Sequence, residues 1–155
     1  MIYVFDSGPL IVMFRHYYPE RFPTLWEKFD ELIDQESVVS VKEVSRELNG
    51  HVDSLSDWVK DNNGIFLMPT PNEFLLVSEI FKIPHFQDLI RKQERLEGKP
   101  VADPFVIAKA KEIGGCVVTT EKYKPNSAKV PNVCERFGVE YMSLEDFMAK
   151  ENWSF

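Results

Sequence analysis

The sequence is poor in the features that would place it outside the cell or in a membrane. It has only two cysteines, Cys116 and Cys134. They are too few for a disulfide framework and too far apart for a metal-binding knuckle, so two reduced thiols in a cytoplasmic protein are expected. No run approaches the roughly 18 apolar residues of a membrane span. The Met1-Ile2-Tyr3-Val4-Phe5 start lacks a basic leader and a cleavage site, so no signal peptide is expected. Histidines number three, His16, His51 and His85, and their scatter argues against an imidazole metal site. Positive charge is also short: 18 basic residues against 25 acidic ones give a net −7. That balance excludes a protein that grips nucleic acid over a broad basic surface. Any nucleic-acid site must be local, with its neighbouring acids shielded by cations.

What remains is an ordinary globular profile. The 155 residues suit a single domain over 1–155, large enough to fold without a metal or disulfide. Hydrophobic residues make up 44% and phenylalanine alone occurs 12 times, so an aromatic-rich core is expected.

The pattern alternates strands with helices. Residues 2–5 read as a buried strand ended by Asp6-Ser7-Gly8-Pro9, with Pro9 in the first turn of a helix over 9–17. A helix follows over 22–34, then a strand at 37–40. Ser40-Val41-Lys42-Glu43 fits a capping box for a helix to Leu48. Further segments are a helix over 53–61, a strand at 65–68, and a helical stretch from 72 to 97 broken near Pro84. Asp103-Pro104 opens a helix to Glu112, with Asp103 suited to its cap. The strand 116–119 is followed by a loop over 122–132, a short helix at 133–137, a weak strand at 139–142 and a last helix from Ser143. This alternation implies an α/β fold: a three-layer α/β/α sandwich around a parallel sheet of about five strands.

Four acids stand at positions that such a fold draws together. Asp6 and Glu121 follow strands, Glu43 lies in the first turn after a strand, and Asp103 opens a helix running back across the sheet. All four fall at the carboxyl edge, where open parallel sheets bind ligands. Carboxylates about 4 Å apart repel by on the order of 4 kcal/mol per pair at an effective dielectric of about 20. A cation relieves that cost, and oxygen donors without His or Cys favour Mg²⁺ or Mn²⁺. Taken singly, each acid also has a plain structural use: Asp6, Glu43 and Asp103 as helix caps, Glu121 as a solvated loop residue. Glu47, one turn beyond Glu43, reads as a solvated helix residue or an alternative ligand.

The stretches carrying these acids resemble the motifs of PIN domains. Val4-Phe5-Asp6-Ser7-Gly8-Pro9-Leu10-Ile11 resembles the opening motif, and Val41-Lys42-Glu43-Val44 the second. Ala102-Asp103-Pro104-Phe105-Val106-Ile107-Ala108 resembles the third, and Val117-Val118-Thr119-Thr120-Glu121 the fourth, with Glu where the family more often has Asp. The resemblance implies strand order 3-2-1-4-5 and cleavage of single-stranded RNA with Mg²⁺ or Mn²⁺. It implies Asp6, Glu43, Asp103 and Glu121 as metal ligands, with Thr119 or Thr120 as a polar helper. It also implies a toxin–antitoxin pair, an antitoxin protein partner and a homodimer.

Ser7 is expected to orient Asp6 or cap the first helix. Lys122 and Lys124, with Lys129, form the expected RNA-contacting patch; Arg15, His16 and Arg21 are a second group of positive side chains. Two other readings compete. A phosphohydrolase using Asp6 as nucleophile is disfavoured because Gly8 stands where a second Asp is needed. A degenerate PIN fold that only binds RNA or a protein is the other.

Overall fold

The computed structural model describes residues 1–50, 54–87 and 101–155. The order of elements is β1 (Tyr3–Phe5), α1 (Ser7–His16), α2 (Pro23–Asp34), β2 (Val38–Val41), α3 (Lys42–Leu48) and α4 (Ser54–Asp61). A 3-10 turn (Asn63–Ile65) leads into β3 (Phe66–Leu67) and α5 (Pro71–Phe81). Then come α6 (Asp103–Ile113), β4 (Cys116–Val118), α7 (Val130–Phe137), β5 (Glu140–Met142) and α8 (Leu144–Lys150). The five strands form one sheet in the order β3-β2-β1-β4-β5, and every pairing is parallel. This is the expected α/β/α architecture and strand order. No helix among the described residues is long and apolar enough to cross a membrane.

Register explains how the core is divided. Tyr3 pairs with Val38 on one side and Cys116 on the other, so β1 lies at the centre and is buried along its length. Successive side chains alternate between faces. Tyr3 and Phe5 point to one face, where both meet Phe147 of α8 edge-on at 4.7 and 5.1 Å and Phe5 also meets Phe29 of α2. The aromatic contacts continue through Trp26, Phe14 and Trp58 to Phe66. Edge-to-face pairs of this kind add about 0.5–1.5 kcal/mol each beyond area burial. Helix α6 packs against β1, β2 and β4, and α5 packs on α6.

A buried ion pair joins α5 to α6. Lys109 Nζ lies 2.8 Å from Glu73 Oε2, and both residues are almost fully buried. The Thr70 hydroxyl meets the same oxygen at 2.8 Å, and Lys109 also donates to the Met68 carbonyl.

Several local expectations change. Helix α1 starts at Ser7, not Pro9, with Asp6 as its cap. The Ser40–Glu43 capping box does not form: Val41 stands at the cap position of α3, and the Ser40 hydroxyl donates instead to the Phe5 carbonyl at 2.6 Å. Ser40 is fully buried in β2, so its hydroxyl is taken by the neighbouring strand. Ala102, not Asp103, caps α6. Helix α7 begins at Val130, three residues earlier than expected, because Pro131 fits a first helical turn. The start of the 53–61 helix, most of the charge-rich helix toward 97, and His51 lie outside the described residues.

Candidate active site

Asp6 is held by three elements at once. Its backbone N–H donates to the Val118 carbonyl, which ties the end of β1 to β4. Its Oδ1 accepts the Ser7 N–H at 2.8 Å, and its Oδ2 accepts the Thr119 hydroxyl at 3.1 Å. Only 5% of the residue is exposed. Burial pushes its carboxyl up to about 6, with Glu121 and Glu47 raising it further against the lowering pull of the Ser7 and Thr119 donors. The same hydroxyl of Thr119 accepts the Glu121 N–H at 3.2 Å, so one buried threonine couples Asp6 to the start of the next loop. Ser7 contributes its N–H from the first position of α1.

Glu121 points back toward α7, where its Oε2 accepts the Val130 N–H at 2.7 Å. A carboxylate at a helix start is favoured by the unpaired N–H groups there. Asp103 is half-buried at the first position of α6. Burial raises the pKa of the Cys134 thiol, and Cys116, Asp6, Asp103 and Glu121 raise it further.

The two glutamates of α3 part company. Glu47 Oε1 accepts the N–H of Ala102, the residue before Asp103, at 3.2 Å, and Glu47 is one of the charges felt by Asp6. Glu43 is buried beside Arg46, with 3.7 Å from Oε2 to Nη1, and its Oε1 has no hydrogen-bond partner among the described residues. Sequence reasoning favoured Glu43 because it lies in the first turn after a strand, within the stretch that resembles the second PIN motif. The signal for Glu47 was weaker: a spacing of one helical turn on the same flank.

Thr120 is exposed, and its side chain stands against Gly8. A Cβ on Gly8 would meet the Thr120 side chain at 2.3 Å from Oγ1, so any larger residue there forces Thr120 to shift. Lys122 and Lys124 lie exposed on the loop after Glu121. That loop is pinned by Asn132, whose side-chain amide donates to the Lys124 carbonyl at 2.7 Å. A cavity of about 550 Å³, which the sequence did not announce, opens beside Thr119, Thr120 and Glu121.

The donor set suits a hard divalent cation: carboxylate oxygens, with Asp6 taking two neutral donors and ionising at a cost. Among the described residues no three Asp, Glu, His or Cys side chains stand as a ready-made cage. Glu47 Oε1 and Glu121 Oε2 each accept a backbone N–H, from Ala102 and Val130, which holds each carboxylate in place through one of its two oxygens.

A chain of the VapBC-1 structure from nontypeable Haemophilus influenzae is similar in fold, with TM-score 0.50 and 14% identity over 94% of this chain and 99% of that one. A chain of VapBC2 from Rickettsia felis, solved with a DNA fragment from its promoter, gives a TM-score of 0.47 and 12% identity over 92% and 98%. No curated protein matches the chain. A family model described as "Domain of unknown function (DUF4411)" matches residues 3–155. With that match across nearly its whole length, the chain belongs to this family, and its sheet ordered 3-2-1-4-5 gives it a PIN-like fold.

Proposed function

We propose that the protein is a divalent-cation-dependent endoribonuclease that cuts single-stranded RNA in the cytoplasm as the toxin of a toxin–antitoxin pair. The observation that carries the reading is Asp6: a buried carboxylate at the carboxyl end of the central strand, fixed by Ser7 and Thr119 and crowded by Glu47 and Glu121. The likeness in fold to the VapBC-1 chain supports it.

In this reading Asp6, Asp103, Glu121 and Glu47 hold Mg²⁺ or Mn²⁺, and Glu43 stands one turn behind in a supporting position. When bound, the cation supplies Lewis acidity toward water and neutralises charge on the scissile phosphate. The protein's own part is placement. Thr119 fixes the orientation of Asp6, and the Ser7 N–H favours its charged form. Lys122 and Lys124 attract the flanking phosphates, a contribution that salt weakens. Exposed Phe74, Leu75 and Phe81 on α5 offer apolar surface for an antitoxin or a second copy of the chain.

Replacing Asp6 or Asp103 by Asn and assaying RNA cleavage with Mg²⁺ or Mn²⁺ tests the scheme; full activity in both variants rules it out. The competing reading is a degenerate fold that binds without cutting, in keeping with Glu47 and Glu121 each accepting a backbone N–H. Calorimetric titration with Mn²⁺ separates the two, since a binding-only domain takes up no stoichiometric metal.

A further inference from the structure

The cavity beside the carboxylates has the wrong charge for a phosphate and the right walls for a base. It measures about 550 Å³, within the range of small-molecule sites. Thr119, Thr120 and Glu121 line it, so it is continuous with the residues that hold Asp6. Three phenol rings line it from three elements: Tyr17 after α1, Tyr123 on the loop after β4 and Tyr141 on β5. Tyr123 is half-exposed, and the Tyr141 hydroxyl donates to Glu135 at 3.4 Å, which anchors that ring at its outer end. Met142 and Met148 add apolar lining.

Among the described residues that line the cavity, Glu121, Glu145 and Asp146 are acidic and Lys122 is basic, so two acids against one base remain even with Glu121 given to a cation. That excess of negative charge repels a phosphate or an acidic peptide. A neutral heterocycle meets no such repulsion, and its N–H groups find carboxylate acceptors at the rim. Unstacked bases of single-stranded RNA are bound this way, by stacking on aromatic side chains and hydrogen bonding at their edges.

We propose that this cavity is a nucleobase slot, which takes the unstacked base next to the cleaved phosphate, with Tyr123 and Tyr141 as its stacking residues. The proposal deepens the ribonuclease reading and rests on it for the identity of the strand. The slot favours bases with exocyclic amino groups, because its rim offers acceptors.

The test compares a short end-labelled single-stranded RNA with the same strand carrying abasic nucleotides. Binding to the full chain is read by fluorescence anisotropy, with Ca²⁺ present to screen the carboxylates. The intact strand is expected to bind roughly 10- to 100-fold tighter, the range for stacking on one or more aromatic side chains. Tyr123→Ala should bring it down to the abasic level, while Tyr123→Phe keeps the preference because stacking needs no hydroxyl. Tyr123 lies on a surface loop, so the melting temperature should be unchanged; Tyr141→Leu, which keeps β5 apolar, serves as a second variant. Equal binding of both strands by the wild type overturns the slot, as does full preference retained in both Tyr123→Ala and Tyr141→Leu. Cleavage is scored separately with Mn²⁺. Base preference without cleavage keeps the slot and removes the nuclease reading. Cleavage without base preference does the opposite and leaves the cavity to a protein partner.

Discussion

Glu47 reaches from the last turn of α3 to the backbone of Ala102, the residue that caps α6, at 3.2 Å. The bond fastens the start of α6, and with it Asp103, to the helix that carries Glu47. Glu43, on the same helix, is engaged by Arg46 instead. The two glutamates should therefore differ sharply in assay. Glu47→Gln is expected to lower RNA cleavage by about 100-fold or more, and Glu43→Gln by no more than about 10-fold, with metal-site supporting groups spanning that range. Steady-state cleavage in Mn²⁺ decides the order; the reverse ranking would restore Glu43 to the centre of the site.

Asp6 makes stability depend on pH. Its folded-state value near 6 lies above the ordinary 3.8, so the folded protein binds this proton more tightly than the unfolded chain does. The stability tied to it is fully present below about pH 4 and is lost as pH rises through 6. Asp6→Asn removes the loss. Above pH 7 the variant should be more stable than the wild type by on the order of 1–3 kcal/mol, at about 1.4 kcal/mol per pKa unit. Thermal melts at pH 5 and pH 8 check this, and a variant that melts lower at pH 8 contradicts it.

Divalent cations should reverse the same penalty. Mg²⁺ or Mn²⁺ at about 100 times its dissociation constant stabilises by about 2.7 kcal/mol. The shift in melting temperature should be large at pH 8, small at pH 5 and absent in Asp6→Asn. A shift of equal size in wild type and variant would place the cation elsewhere.

Gly8 and Thr120 form a tight fit that can be tested apart from catalysis. Gly8→Ala places a methyl 2.3 Å from Thr120 Oγ1 and 3.1 Å from its Cγ2. Overpacking of this kind costs about 1–3 kcal/mol. Thr120→Ala removes both atoms, so the double variant should recover most of the loss. Urea unfolding of the four proteins measures the coupling, and simple additivity would show that the contact relaxes freely.

The buried Glu73–Lys109 pair calls for the same cycle. Lys109→Met leaves a buried carboxylate whose Oε1 already lacks a partner among the described residues, and is expected to cost about 3–5 kcal/mol. Adding Glu73→Leu removes the stranded charge and should return most of that. Denaturant midpoints report both steps.

How far the sequence could be read depends on the range of the forces involved. Strands β1 and β4 are continuous apolar runs bounded by turns, and β2 departs from one only at Ser40, so their nature and parallel pairing followed from local pattern. Pro104 marked the start of α6 to within a residue, because proline's missing N–H suits a first turn wherever the helix packs. Ser40 misled because its local environment offered a cap while β1 offered the Phe5 carbonyl, and the tertiary bond prevailed. The choice between Glu43 and Glu47 turns on how α3 is rotated against α6, which a single-helix pattern does not specify. The tyrosine-lined cavity joins residues near 17, 123 and 141, and nothing in their separate segments announces their meeting.

The strands of the sheet are two to four residues long. At about 3.3 Å per residue, three residues make a layer only about 10 Å tall. Phe5 ends that layer within the aromatic core, and Asp6 is the next residue along the chain. The hydrophobic interior thus serves as the foundation of the edge that carries Asp6, with no spacer between them. Enlarging or trimming a ring such as Phe29 or Phe147, both packed on Phe5, should shift Asp6 directly, so the proposed site and the core are bound by a shared constraint.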